Sequence, residues 1–268
     1  MAMMSLLLQN SAGQMAVGLG EGDQLIFDSS LDADLVGLRN VQAHVQAGLD
    51  HSGKSMSDVD CVFVDIGPGG LGATRTTVAF ANALAFAASI PVIGLHAFEL
   101  IGRHVSAGRA RPVVCIRPAA RPNYYIGKFE AGVLSDMRFT DVDAVKEFVR
   151  AHQENADFAG KFAFTNDGNA PDEAWPVSQG NSASMDCFLA LALEKYHISK
   201  HSARVFPISE SLSVTVQLAL SLCPMIWRMC RASCRRCVSA AWCFCLRIRS
   251  WGLQLSRICR PAWIAYMH

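Results

Sequence analysis

The chain of 268 residues is long enough for one large domain or two lobes, and its 51% hydrophobic and 18% charged composition excludes a disordered protein. A formal net charge of +1 gives no electrostatic reason to expect binding to nucleic acid or to a membrane. Before residue 221 the only cysteines are Cys61, Cys115 and Cys187, and no basic segment precedes the short apolar run at residues 6–8. We therefore expect reduced thiols and a cytoplasmic protein.

The first part of the chain alternates strand and helix patterns. Strands are predicted at residues 6–8, 15–19, 24–28, 61–66 and 90–95. Apolar residues recur every three or four positions from Leu31 to Leu49, which predicts one amphipathic helix ending near Gly53. Further helices are predicted at about 76–88 and at 96–105. This alternation predicts an α/β lobe with a mixed sheet over residues 1–106.

A second α/β lobe is predicted over residues 107–220. Its predicted elements are strands at 111–118, 123–134 and 160–167 and helices at 141–154 and 184–198. Each lobe is expected to have a sheet of its own.

Residues 221–268 differ in composition from the rest of the chain. They carry eight Arg, seven Cys and four Trp but no Lys, Asp or Glu. Such a composition is typical of a GC-rich gene translated out of frame, and we interpret the tail in this way. If the tail is genuine, its cysteines and arginines predict zinc or RNA binding instead.

A glycine-rich turn, Gly67-Pro68-Gly69-Gly70-Leu71-Gly72-Ala73-Thr74-Arg75, follows the strand at 61–66. Glycine permits positive φ and close backbone approach, and the start of the next helix offers free N–H groups to an anion. The spacing does not match a nucleotide-binding motif cleanly, and Pro68 stiffens the turn. It favours a tight turn that packs a helix onto a sheet; a vestigial phosphate loop is the alternative.

The stretch from Val62 to Gly94, with the turn and the helix–Pro–strand order, resembles the TsaB (YeaZ) proteins, relatives of the glycoprotease-like ATPases. The resemblance implies a two-lobe actin/Hsp70-like α/β fold. It also implies a non-catalytic partner of a TsaD-type enzyme that makes threonylcarbamoyladenosine in tRNA, with a TsaE-type ATPase as a further partner. tRNA would be contacted only through that complex, and no membrane is involved.

Two departures from the family pattern affect the expected metal binding and ATP hydrolysis. The catalytic relatives carry His-x-x-x-His where this chain has Ala97 and Ile101, so no metal site is expected. The family's first strand ends in Asp-Thr-Ser, whereas this chain has Gln9-Asn10-Ser11. Losing that carboxylate disfavours ATP hydrolysis. No cofactor is expected, although vestigial ATP or ADP binding stays open.

The resemblance also implies that first-lobe helices contact the partner. The candidate contact residues are Leu35, Leu38, Val45, Val78, Asn82 and Phe86. A homodimer through the same faces is the alternative. Two enzymatic hypotheses remain beside the partner role: a small ATPase or sugar-kinase relative that uses the glycine-rich loop, and an M22-type peptidase.

Overall fold

The computed structural model describes residues 2–120, 122–162, 176–198 and 204–208, all within one compact unit. Its first sheet has five strands in the order β3-β2-β1-β4-β5. They are β1 (Met4–Gln9), β2 (Ala16–Glu21), β3 (Gln24–Asp28), β4 (Cys61–Asp65) and β5 (Val92–Leu95). β1 pairs antiparallel with β2 and parallel with β4, so the sheet is mixed, as the sequence predicts.

The central strands of this sheet are buried on both faces. In β4, Val62 and Val64 belong to one hydrophobic cluster, while Cys61 and Phe63 belong to another on the opposite face. Successive side chains of a strand point to opposite sides, so a strand covered on both faces reads as a continuous apolar run. The apolar run at 61–66 therefore predicts this strand correctly.

Two helices cover one face of the first sheet. They are α1 (Val41–Ser52) and α2 (Leu71–Ala88). The predicted helix from residue 31 is wrong over its first part, because α1 begins only at Val41, with Asn40 as its N-cap. Leu35 and Leu38 therefore lie in a loop. The helix predicted from about residue 76 begins earlier, at Leu71.

The second sheet has four strands in the order β8-β7-β6-β9. They are β6 (Val113–Pro118), β7 (Tyr124–Glu130), β8 (Val133–Thr140) and β9 (Asp157–Gly160). The run predicted as one strand over 123–134 is instead a hairpin, which turns at Ala131 and Gly132 with φ of 51° and 81°. The strand predicted over 160–167 overlaps β9 only at Gly160, and most of that range lies outside the described residues.

The two sheets share one connectivity. In each, three consecutive strands pair antiparallel, a helix follows, and the next strand returns parallel to the first of the three. The helix between β8 and β9 is α4 (Val142–His152). Two α/β units of the same plan therefore follow one another along the chain.

The remaining helices are α3 (Ala97–Ser106) and α5 (Met185–Ile198). α3 packs on β6 and β7 of the second sheet. α5 lies in the range predicted for the second lobe, yet it contacts β1, β2, β3 and β5 of the first sheet. Its Phe188 and Leu189 share a hydrophobic cluster with Leu7 and Phe63. The lobe boundaries at residues 106 and 220 stay predictions.

The predicted tail at 221–268 lies outside the described residues. Within the described part of the chain, no helix has the length and apolar character needed to span a bilayer.

Candidate functional site

The glycine-rich loop lies at the carboxyl end of β4, beside the loop that follows β1. The Asp65 carboxylate, only 1% exposed, accepts hydrogen bonds from the Ser11 N–H at 3.1 Å and from the Gly67 N–H at 2.9 Å. The Gly67–Pro68 peptide bond is cis, and Gly67 has a φ of 89°. Asp65 thus ties together the first residues of two loops that come from neighbouring parallel strands.

Close approach of Ser11 explains one of the glycines. A Cβ added to Gly69 would lie 2.1 Å from the Ser11 carbonyl oxygen, which no side chain tolerates. The Gly70 N–H donates to that same oxygen at 3.0 Å, although a Cβ on Gly70 itself would lie 3.9 Å from it. Because the chain's own backbone fills the space beside Gly69, the position of this glycine is accounted for by packing.

The rest of the loop forms the start of α2. Gly70 is the N-cap residue, and its carbonyl accepts from both the N–H and the hydroxyl of Thr74, at 2.9 and 3.0 Å. Gly72 and Arg75 are exposed, and nothing lies within 4 Å of a Cβ placed on Gly72. The structure therefore brings Gly67, Pro68 and Gly69 to the interior and leaves Gly70, Gly72 and Arg75 at the surface.

Arg117, at the carboxyl end of β6, reaches into this site from the second sheet. Its Nη1 donates to the Pro68 carbonyl at 2.9 Å and to the Ser11 hydroxyl. Its Nε donates to Asn181 Oδ1 at 3.2 Å, and Nη2 donates to the Asn181 carbonyl. Arg117 is 3% exposed, and burial lowers the pKa of its guanidinium. The sequence patterns did not identify Arg117 or Asn181 as site residues. The only signal was an arginine near the end of an otherwise apolar strand.

A short returning segment also lies against the loop. The Ile208 N–H donates to the Ile66 carbonyl at 2.7 Å. The Asn82 amide holds Val205 through two hydrogen bonds, accepting from its N–H at 2.8 Å and donating to its carbonyl at 2.9 Å. Asn82, predicted as a partner contact, thus binds the chain's own backbone.

The start of α3 closes the site on another side. The Ala97 N–H donates to the Gly67 carbonyl at 2.7 Å. His96 caps the helix, since its Nδ1 accepts from the Phe98 N–H at 3.1 Å. Burial, reinforced by the positive charges of Arg117 and Lys195, lowers the pKa of His96 to about 3. The imidazole is therefore neutral at physiological pH.

The metal site of the catalytic relatives does not fit these residues. Ala97 and Ile101, at the two positions that the resemblance assigns to metal-binding histidines, are each 1% exposed, and neither side chain offers a donor atom. Across the described residues, no three His, Cys, Asp or Glu side chains come together in a way that suits a metal ion.

The end of β1 also lacks the carboxylate that the resemblance associates with magnesium and phosphate. Gln9 stands at that position and is 4% exposed. The next residue is Asn10, whose Nδ2 donates to the Thr77 hydroxyl of α2 at 3.0 Å. The side chain is 8% exposed. Asn10 therefore fixes α2 against β1 instead of facing open space.

The predicted partner residues divide into buried and exposed. Leu35, Val45 and Val78 are 7%, 5% and 2% exposed and belong to the core of the first sheet. Leu38 is 41% exposed, and Phe86, near the end of α2, is 85% exposed. Only the last two present apolar area that a partner can contact.

Comparison with known proteins places this architecture. Residues 30–216 match the family described as TsaD, tRNA N6-adenosine threonylcarbamoyltransferase. The chain belongs to this family. Curated relatives named tRNA N6-adenosine threonylcarbamoyltransferase include that of Moorella thermoacetica, 42% identical over 71 residues, which is 26% of this chain and 20% of the relative. That of Trichlorobacter lovleyi is 39% identical over 64 residues, 24% of this chain and 18% of the relative. The chain thus matches only about a fifth of these relatives' length.

Solved structures of low sequence identity share the fold. YeaZ from Pseudomonas aeruginosa superimposes with a TM-score of 0.54 at 16% identity, covering 77% of this chain and 99% of that one. A Pseudomonas aeruginosa protein described as similar to peptidase YeaZ gives 0.53 at 18% identity, covering 77% and 98%. The predicted two-lobe α/β fold of actin-like class and the resemblance to the YeaZ proteins are confirmed.

Proposed function

We propose that this TsaD-family chain acts in the threonylcarbamoyladenosine modification of tRNA as a non-catalytic partner of a TsaD-type catalytic protein. The curated relatives carry the name of the transferase, and the fold is that of YeaZ. A TsaE-type ATPase is a further partner in this proposal, and tRNA is contacted through the assembled complex.

The observation that supports the non-catalytic role is that backbone N–H groups of the glycine-rich loop are hydrogen-bonded within the protein. Within residues 67–70, the N–H groups of Gly67 and Gly70 donate to the Asp65 carboxylate and the Ser11 carbonyl, and Pro68 has no N–H. A phosphate-binding loop needs backbone N–H groups free to face the ligand. Together with the apolar Ala97 and Ile101, this internal bonding supports a scaffold over an active transferase.

The outer face of α2 is the proposed contact surface. Its exposed residues are Gly72, Arg75, Thr76, Ala79, Ala83, Phe86 and Ala87. Small side chains allow a partner helix to approach closely, and the exposed Phe86 ring supplies an aromatic anchor of the kind that dominates interface energetics. The exposed face of α1, by contrast, is polar, with Gln42, Gln46 and Asp50.

Size-exclusion chromatography of the full chain, mixed with the TsaD-type protein of the same organism, tests the proposal. A co-eluting complex is expected, and Phe86→Asp is expected to weaken it by roughly tenfold or more, since it places a charge in a desolvated contact. Val133→Asp is the matched control, because Val133 is also exposed, at 64%, but lies on β8 of the second sheet.

Four outcomes would contradict the proposal in different ways. Separate elution of two folded proteins would remove the partner role. A dimer of this chain that excludes the TsaD-type protein would favour the homodimer alternative. Magnesium-dependent ATP hydrolysis by the purified chain would favour the enzymatic alternative, and peptide cleavage would favour the M22-type peptidase.

A further inference from the structure

Arg117 is a buried cation in the space between the two sheets. With 3% of its surface exposed, its guanidinium is withdrawn from water, and such burial is tolerated only where hydrogen bonds and a compensating charge replace the solvent. The carboxylate of Asp65, 1% exposed, supplies the compensating charge, because its field raises the pKa of Arg117 against the larger effect of burial.

Ser11 joins these two charges through its N–H and its hydroxyl, and its third polar group is hydrogen-bonded as well. Its N–H donates to Asp65 at 3.1 Å, and its hydroxyl accepts from Arg117 Nη1. Its carbonyl accepts from the Gly70 N–H at 3.0 Å. Ser11 is 2% exposed, so water does not compete for these bonds. We call the hydrogen-bonded group Asp65, Ser11 and Arg117 the clasp.

The partners of the clasp come from segments that are distant in sequence. Arg117 ends β6 of the second sheet, Ser11 follows β1, and Pro68 belongs to the glycine-rich loop after β4. Asn181 precedes α5 and takes the remaining two donations of the guanidinium. A planar group with several fixed donors is suited to bridging such separate acceptors, which a single ammonium does not do.

We propose that Arg117 is a positioning residue that fastens the loop after β1 and the glycine-rich loop to the second sheet. This inference goes beyond the proposed function and is independent of it, since it concerns the chain alone. It makes the attachment of both loops depend on one side chain instead of on the whole contact area.

Peptide-resolved hydrogen–deuterium exchange of the full chain tests the clasp. Exchange of a protected amide follows the local opening equilibrium, so losing hydrogen bonds to a charged group is expected to speed it by roughly tenfold or more. In Arg117→Ala this acceleration is expected in peptides covering residues 9–14 and 65–72, while peptides from the β4 core keep their protection.

Two further variants separate positioning from charge and from stability. Ser11→Ala removes only the hydroxyl acceptor, so it keeps the fold testable and is expected to accelerate the same peptides by about threefold to tenfold. Arg117→Lys keeps the positive charge near Asp65 but not the planar fork, so it is expected to restore overall stability without restoring loop protection.

Arg103→Ala is the matched control. Arg103 is a partly exposed arginine that pairs with Glu194 on α5 and makes none of the hydrogen bonds of the clasp. Its loss is expected to leave both loop peptides unchanged. Unchanged exchange of the loops in folded Arg117→Ala or Ser11→Ala would overturn the clasp, as would full recovery of loop protection in Arg117→Lys.

Discussion

Gly69 and Gly72 stand three positions apart in the glycine-rich loop but meet different surroundings. A side chain on Gly69 would collide with the Ser11 carbonyl, whereas a side chain on Gly72 meets nothing within 4 Å. The sequence alone presents both as members of one motif. The difference between their surroundings depends on where the loop after β1 lies, and no local sequence pattern predicts that position.

Substitution of these two glycines by alanine is therefore expected to have opposite effects. Gly69→Ala should lower the free energy of unfolding by roughly 2–4 kcal/mol, because backbone must move to admit the methyl group. Gly72→Ala lies in α2 and should be neutral or stabilising by about 0.5–1 kcal/mol. Urea denaturation of both variants measures this, and equal effects would contradict the packing explanation for Gly69.

His96 is expected to make the stability of the folded protein depend on pH. Its pKa of about 3 lies below the value of about 6.5 expected in the unfolded chain. Between these two values the unfolded state binds the extra proton and the folded state does not. Stability is therefore expected to fall as the pH decreases from about 6.5 towards 3.

His96→Asn isolates this effect, because asparagine retains a side-chain acceptor for the Phe98 N–H and does not titrate. The loss of unfolding free energy between pH 7 and pH 5 is expected to be smaller in the variant by about 1–2 kcal/mol. Denaturant unfolding at the two pH values measures the difference. Identical losses in the two proteins would show that His96 does not bear the proton linkage.

At the scale of the element, α1 shows that a repeat of apolar residues at helical spacing can predict a helix that is too long. Apolar residues recur at helical spacing from Leu31 to Leu49. Residues 33–37 nevertheless form turns, and Gly37 has a φ of 86°. Leu31 and Val36 are 85% and 63% exposed. Asparagine and aspartate in this stretch bind nearby backbone N–H groups and so favour turns and caps over helix interior. The pattern predicts the end of the helix at Gly53 and misses its beginning.

Asn40 sets that beginning. Its Oδ1 accepts from the Ala43 N–H at 3.3 Å, which satisfies one of the unpaired amides at the helix start. Asn40→Ala is expected to reduce the free energy of unfolding by about 1 kcal/mol, whereas Asn40→Asp retains the acceptor and should cost little. Thermal unfolding distinguishes them. If the alanine and aspartate variants melt alike, the cap contributes nothing to stability.

Strand predictions failed for a related reason in the second sheet. The sequence predicts one strand over residues 123–134, whereas Ala131 and Gly132, both at positive φ, divide β7 from β8. An alanine in that conformation gives no sequence signal, because alanine is common in every kind of element. Buried strands such as β4 were predicted well, since burial on both faces leaves a run with no polar interruption.

At the scale of the whole molecule, the strand–helix alternation predicts two α/β lobes, and both sheets and all five helices of the described chain were foreseen in type. The location of α5 was not. Its apolar residues predict burial, but Phe188 and Leu189 fit the face of either sheet as far as composition tells. Arg117 was missed on the same ground, because its partners come from three distant segments.

The return of the chain to the first sheet has a consequence for biosynthesis. Asn82 holds Val205, 123 residues later, and α5 covers the face of the sheet that contains Leu7 and Phe63. A ribosome that has released only the first sheet's strands has released an apolar surface without its cover. Long-range contacts of this kind slow folding, and uncovered surfaces aggregate. Nascent chains of this protein are therefore expected to be prone to aggregation until α5 and Val205 have emerged from the exit tunnel.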